Sequence, residues 1–191
     1  MNELKSKIIS YAHQRFLNGG IKWLNLDYIA IDCSISRKTL NQYFNRNQLV
    51  DAVIKSKLET CRQSLLAIDM EQLEPVEELK KILRFTETLA CDFSDIYLRD
   101  LKRHYPKNWI MIDNFMKGSL KKLFLRNLIE GVSKGLYRKA IDVVLLTEIY
   151  FSTGIMLIES GFGHMDAALG GKSMEEMNKN FFAGLTNVNY K

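Results

Sequence analysis

Asn25-Leu26-Asp27-Tyr28-Ile29-Ala30-Ile31-Asp32-Cys33-Ser34-Ile35-Ser36-Arg37-Lys38-Thr39-Leu40-Asn41-Gln42-Tyr43-Phe44 reads as two short helices joined by a tight turn. In the first, Leu26, Ile29, Ala30 and Cys33 recur at i, i+3, i+4 and i+7, which makes one apolar face. Asn25 stands just before it as an N-cap. Ile35 puts an apolar side chain into the turn, and Ser36 is the second N-cap candidate. On the helix that follows, Arg37, Lys38, Asn41 and Gln42 share one face, with Leu40 and Phe44 opposite and Thr39 and Tyr43 at the flank. So short a helix is not stable alone in water, so its apolar side must dock on the helix before it. What remains outside is a row of long polar donors. That is the helix-turn-helix layout, in which a support helix holds up a second helix whose outer side chains suit a major groove.

Working outward, the segment from Ile8 to about Val53 resembles the TetR family of transcriptional repressors. Gly20 falls where the family ends its first helix, and Ile29-Ala30 matches the support helix. Ser36, Thr39-Leu40 and Tyr43-Phe44 match its Ser-x-x-Thr-Leu-x-x-Tyr-Phe signature, and Leu49 to Val53 resembles the opening of its fourth helix. The match covers about a quarter of the chain; the remainder resembles the family in length and helical patterning. Three positions depart from the pattern. Ser34 replaces the turn glycine, which requires a residue with a Cβ in a left-handed conformation at a cost of roughly 1 kcal/mol. Asn41 replaces the tyrosine after Thr-Leu, and the stretch after Phe44 is one residue short, with Arg46 or Asn47 in place of a lysine.

The resemblance implies an all-α chain. Residues 1–47 are expected to form the helix-turn-helix DNA-binding domain, and residues 48–191 a helical domain for ligand binding and dimerisation. A fourth helix over about 47–68 connects them. Arg37, Lys38 and Gln42 are the expected base readers, because Arg and Lys suit guanine and Gln suits adenine. Thr39, Asn41, Tyr43 and Arg46, with Lys22 behind them and Asn25 at the support helix, complete the expected DNA-facing set. The partner is then double-stranded operator DNA of pseudo-palindromic form, bound by a homodimer. The alternative is a helical small-molecule-binding or scaffold dimer whose DNA-binding unit is vestigial, and the changes at Ser34 and Asn41 are what speak for it.

Charge points to the same segment. The formal net charge is +5 over 191 residues. Residues 1–57 hold nine Lys or Arg against four Asp or Glu, so the rest of the chain is neutral overall. A phosphate-facing surface needs cations there, because they release condensed counterions. Cys33, Cys61 and Cys91 are too widely spaced for a disulfide framework or a zinc pattern, and they read as buried thiols in a reducing cytoplasm. Met1-Asn2-Glu3 runs straight into amphipathic helix, so no secretion signal is expected. The longest apolar stretch, between Glu148 and Glu159, is too short to cross a bilayer.

Periodicity predicts a first helix over 3–18, stopped by Asn18-Gly19-Gly20, and a break at Pro75. Further helices are expected from Val76 to Ala90, from Phe93 to His104 with Pro106 ending it, and from Trp109 to about Val132. Asp142 is the expected cap of a helix over Val143–Glu159. A glycine-rich loop carrying Gly161, Gly163, Gly170 and Gly171 should follow, and Ser173 with Glu176 forms a capping box for a last helix. These last two helices carry more apolar surface than a monomer needs, which predicts pairing with a second copy.

No enzymatic chemistry is expected. His13, His104 and His164 lack partners at metal-ligand spacing, and no nucleophile elbow or Walker loop occurs, so neither a metal nor a cofactor is expected. His13 is expected at the surface or at a domain boundary. The second half of the chain is rich in aromatic residues and methionine, most of them core by default. A cavity among such helices suits a small, mostly apolar or aromatic effector, and Phe85, Tyr97, His104, Trp109, Phe115 and Tyr150 are the candidates for its wall.

Overall fold

The computed structural model describes residues 3–159 and 167–186, and every regular element among them is helical. Helix α1 (Glu3–Gly19) buries the ladder Ile8, Ala12 and Phe16 completely. It stops at Gly20, whose φ of +69° suits a residue without a side chain. Next come α2 (Leu26–Asp32) and α3 (Arg37–Tyr43). The long α4 (Arg46–Met70) opens on a reciprocal box: Gln48 N–H donates to Asn45 Oδ1, and Asn45 N–H donates to Gln48 Oε1, both at 2.9 Å. The first half of α4 seats Leu49, Val50 and Val53 under α1, and its stripe continues through Leu58, Cys61 and Leu65.

Pro75 and Pro106 sit at the starts of α5 (Pro75–Cys91) and α7 (Pro106–Phe115), where the missing N–H costs nothing. Between these two lies α6 (Asp95–His104), capped by Ser94. The amphipathic stretch predicted over Trp109–Val132 is not one α-helix. A π-helical turn, Met116–Leu120, separates α7 from α8 (Lys121–Ser133). Inside α8, Gly131 is needed because the Tyr137 ring fills the place of its Cβ. Tyr137 Oη in turn lies 2.7 Å from the Pro75 carbonyl and 2.9 Å from Asn127 Oδ1.

Helix α9 (Val143–Glu159) starts as predicted, with the Asp142 side chain accepting from Val144 and Leu145 N–H. The last helix, α10, starts earlier than predicted, at Ala167. Gly170 and Gly171 are helical, and Ser173 lies in the second turn, so Ser173 and Glu176 do not open it. Glycine lowers helix propensity by about 1 kcal/mol without forbidding the helix. The other two loop glycines, Gly161 and Gly163, and His164 lie outside the described residues. One apolar core runs through all these elements, from Ile8 to Leu185. A buried polar hub ties its far end: Asn178 Nδ2 donates to the Leu83 carbonyl at 2.9 Å, and Tyr150 Oη donates to Asn178 Oδ1 at 2.8 Å.

Two expectations need correcting. Cys33 and Cys61 are buried, and burial pushes the Cys61 thiol up to about 11, but Cys91 is exposed because it ends α5 on the outer side. Among the described residues, the large exposed apolar side chains of the last two helices all lie on α9. Leu145, Ile149 and Met156 form an exposed stripe there, whereas α10 turns Met174, Phe182 and Leu185 inward. Among the described residues no helix is long and apolar enough to cross a membrane.

Candidate nucleic-acid interface and effector cavity

The reader helix is built by its neighbours. Leu26, Ile29, Ala30 and Cys33 are all buried, as are Leu40 of α3 and Phe44 at its C-terminal cap. The turn is a Schellman motif: Ile35 N–H reaches the Ala30 carbonyl and Ser34 N–H the Ile31 carbonyl, both at 2.9 Å. Ser34 occupies the left-handed position of that motif, at φ +58°. Both caps form where the sequence placed them. Asn25 Oδ1 accepts from Asp27 N–H at 2.8 Å, and Ser36 Oγ accepts from Thr39 N–H at 3.0 Å.

The outer face of α3 holds Lys38, Asn41 and Gln42, all exposed and, among the described residues, making no side-chain hydrogen bond or ion pair. Arg37, also exposed, stands 3.5 Å from Asp27 of α2. Thr39 Oγ1 is engaged with Ser36 Oγ at 2.8 Å, and Tyr43 is half-buried at the flank. Lys22 lies over the highly exposed Trp23 ring, 4.6 Å from its centroid. Lys5 of α1 lies over Phe44, 5.5 Å from its centroid, which adds a cation beside α3 that the sequence reading did not single out. The support helix is anchored to α1 by Arg15, which donates twice to the Asp32 carboxylate at 2.8 and 2.9 Å and holds that carboxyl below its usual range.

Arg46 is placed differently from the rest of the expected DNA-facing set. Its Nη2 donates to the Ile21 and Lys22 carbonyls at 2.5 and 2.7 Å, and its Nε to Tyr105 Oη at 3.2 Å. Those donors are spent on the protein, so the side chain works as an internal brace. Its position at the start of α4, facing the loop after α1, is what directs it inward.

In the second half, α4, α5, α6, α7 and α9 converge on a cavity. Its wall is Leu58, Leu89, Phe93, Leu98, Trp109, Ile112, Asp113, Phe115, Met116, Ile155 and Ile158. Among the described residues of the wall Asp113 is the only ionisable side chain, and Lys117 pairs with its carboxylate at 2.7 Å. Of the residues expected there, Trp109 and Phe115 line it, and Phe85 braces it edge-on to Phe115 at 6.4 Å. Tyr97 is instead fully buried between α1 and α6, against Phe16 and Phe93. Tyr150 belongs to the Asn178 hub, and His104 is exposed at the end of α6. His13 is buried, with its ring 5.9 Å from that of Tyr97. The aliphatic wall residues were not singled out, since apolar residues at helical spacing mark a core and not a gap in it. The free space is about 40 Å³, small beside the roughly 300–1,000 Å³ of a drug-sized site. The π-helical turn adjoins this wall through Met116, a place where such turns are often functional.

No protein-family model and no curated protein matches the chain. Solved structures do. The ketosteroid transcriptional regulator KstR2 of Mycobacterium tuberculosis aligns with a TM-score of 0.72 at 15% identity, over 97% of this chain and 96% of that one. A TetR-family transcriptional regulator from Agrobacterium tumefaciens aligns at 0.72 and 17% identity, over 96% and 97%. AibR, solved in complex with isovaleryl coenzyme A and operator DNA, aligns at 0.62 and 16% identity, over 92% and 97%. At these identities the likeness establishes the fold alone, shared with these regulators over 92–97% of this chain.

Proposed function

We propose that this chain, with the fold of the TetR-family regulators, is a ligand-responsive transcriptional repressor acting in the cytoplasm. It binds a pseudo-palindromic operator as a homodimer, with residues 1–47 reading DNA and residues 48–191 binding effector and pairing the subunits. The observation that carries this reading is the unengaged outer face of α3. Lys38, Asn41 and Gln42 are polar donors that make no side-chain bond among the described residues, on a helix whose opposite side is locked into the core. Arg37 and Lys38 together with Gln42 read base edges; Lys22, Thr39, Asn41 and Tyr43 set the helix against phosphates. Lys5 adds a cation beside them.

Binding should therefore weaken steeply with salt. A dimer neutralising about six phosphates loses about a thousandfold in affinity between roughly 50 and 200 mM salt. Fluorescence anisotropy on a duplex enriched from random DNA checks this, and a flat response would remove the phosphate-dominated interface.

The exposed stripe on α9 supports a two-fold pairing through that helix. Ile149 is 52% exposed at its centre. Ile149→Asp sets two carboxylates against one another across such an axis, without a compensating partner. Sedimentation at micromolar concentration should show a dimer for the wild type and a monomer for the variant. A monomeric wild type would end the dimer reading.

The apolar wall supports an effector with an apolar body, of the acyl kind present in the AibR complex. Its action on DNA is limited to its differential affinity for the two states of the protein.

A further inference from the structure

The loop between α1 and α2 is held from both sides by side chains of other elements. Asp100 of α6 is 9% exposed, and its Oδ2 accepts the N–H groups of Ile21 at 2.7 Å and Lys22 at 2.6 Å. Arg46 of α4 takes the carbonyls of the same two residues and touches Tyr105, which follows α6. A carboxylate thus accepts the donors of one short backbone segment while a guanidinium fills its acceptors. Charge-assisted bonds of this kind are about twice as strong as neutral ones. The fit is close, because a Cβ on Gly20 would lie 2.6 Å from Asp100 Oδ2.

Helix α6 also reaches the cavity. Leu98 is on the cavity wall two residues before Asp100, and Phe93 is on it just ahead of the helix. The loop in turn runs through buried Leu24 to the cap of α2, the support of the reader. Resting on the regulatory reading above, we propose that Asp100 is a positioning residue for DNA binding. Through it α6 sets the place of the α2–α3 pair, and filling the cavity acts by drawing the carboxylate off the loop. The cavity has too little free space for a ligand unless its wall moves, and Leu98 and Phe93 put α6 in that wall.

A double-mutant cycle tests this, with the cavity filled from within by Ile112→Phe, or by Leu89→Phe if that variant does not fold. The filler alone should weaken binding to the enriched duplex about tenfold, within the usual range of allosteric coupling. It should also speed amide exchange at Ile21 and Lys22, read by NMR. Asp100→Ala should do both, and adding the filler to it should cost nothing more. Asp100→Asn keeps one oxygen acceptor and should restore part of the loss. Losses that multiply, or a filler that leaves both amides as protected as in the wild type, would overturn the proposal. Should the wild type enrich no duplex, the regulatory reading falls, and the clasp still stands or falls on exchange at the two amides.

Discussion

The Lys38→Ala, Gln42→Ala double variant should bind an enriched duplex at least about a thousandfold more weakly than the wild type, since each good base contact is worth about 1–3 kcal/mol and a dimer loses four of them. Both side chains are exposed on α3 and, among the described residues, make no side-chain bond, so their loss leaves no buried group unpaired and the fold intact. The single variants separate base reading from phosphate contact. Gln42→Ala carries no change of charge, so it should relax preference at particular base pairs and leave the salt slope alone. Lys38→Ala should weaken the enriched duplex more than random DNA. An equal loss on both, with a salt slope shallower by about two for the two copies in a dimer, would move Lys38 to the phosphate set. Anisotropy titrations at several salt concentrations read all of these.

Phe124→Ala is expected to cost about 3–5 kcal/mol of stability, among the largest effects of a single truncation. Phe124 is fully buried. Its ring stacks on Tyr150 at 4.5 Å, meets Phe151 edge-on at 5.5 Å and leans on Phe181 at 5.4 Å. Helices α8, α9 and α10 therefore share one aromatic cluster, and removing its centre leaves a hole bounded by rigid rings. The melting temperature should fall by about 10 °C, taking roughly 2–4 °C per kcal/mol for a chain of this size. Thermal unfolding followed by circular dichroism checks it. A fall of only a degree or two would mean that the neighbouring rings collapse into the space.

How much of this was legible beforehand follows from how local each feature is. Asn25, Ser36 and the apolar spacing of α2 decide structure within a few residues, and the turn followed, even with Ser34 where glycine is usual. Asp142 at the start of α9 is the same kind of signal. By composition Gly170 and Gly171 read as a loop, whereas α10 begins at Ala167 and runs through both. The expectation that Arg46 faces DNA rests on its standing in for a lysine of the family pattern; the carbonyls that absorb it belong to residues 21 and 22, and Tyr105 lies far along the chain. The cavity was the least legible, since five separate helices must meet to make it. Trp109 and Phe115 were among the candidates, while Leu58, Leu98 and Ile155 looked like any other core leucine or isoleucine. The π-helical turn had no mark in the sequence beyond an otherwise ordinary amphipathic pattern.

The small size of the cavity has a kinetic consequence. About 40 Å³ does not hold a ligand of more than a few atoms, so the helices must part first, and that parting has its own frequency. Association would then stop accelerating as ligand is added and settle at a ceiling set by the protein alone. Ligands of quite different size would share that ceiling, and only their departure rates would tell them apart.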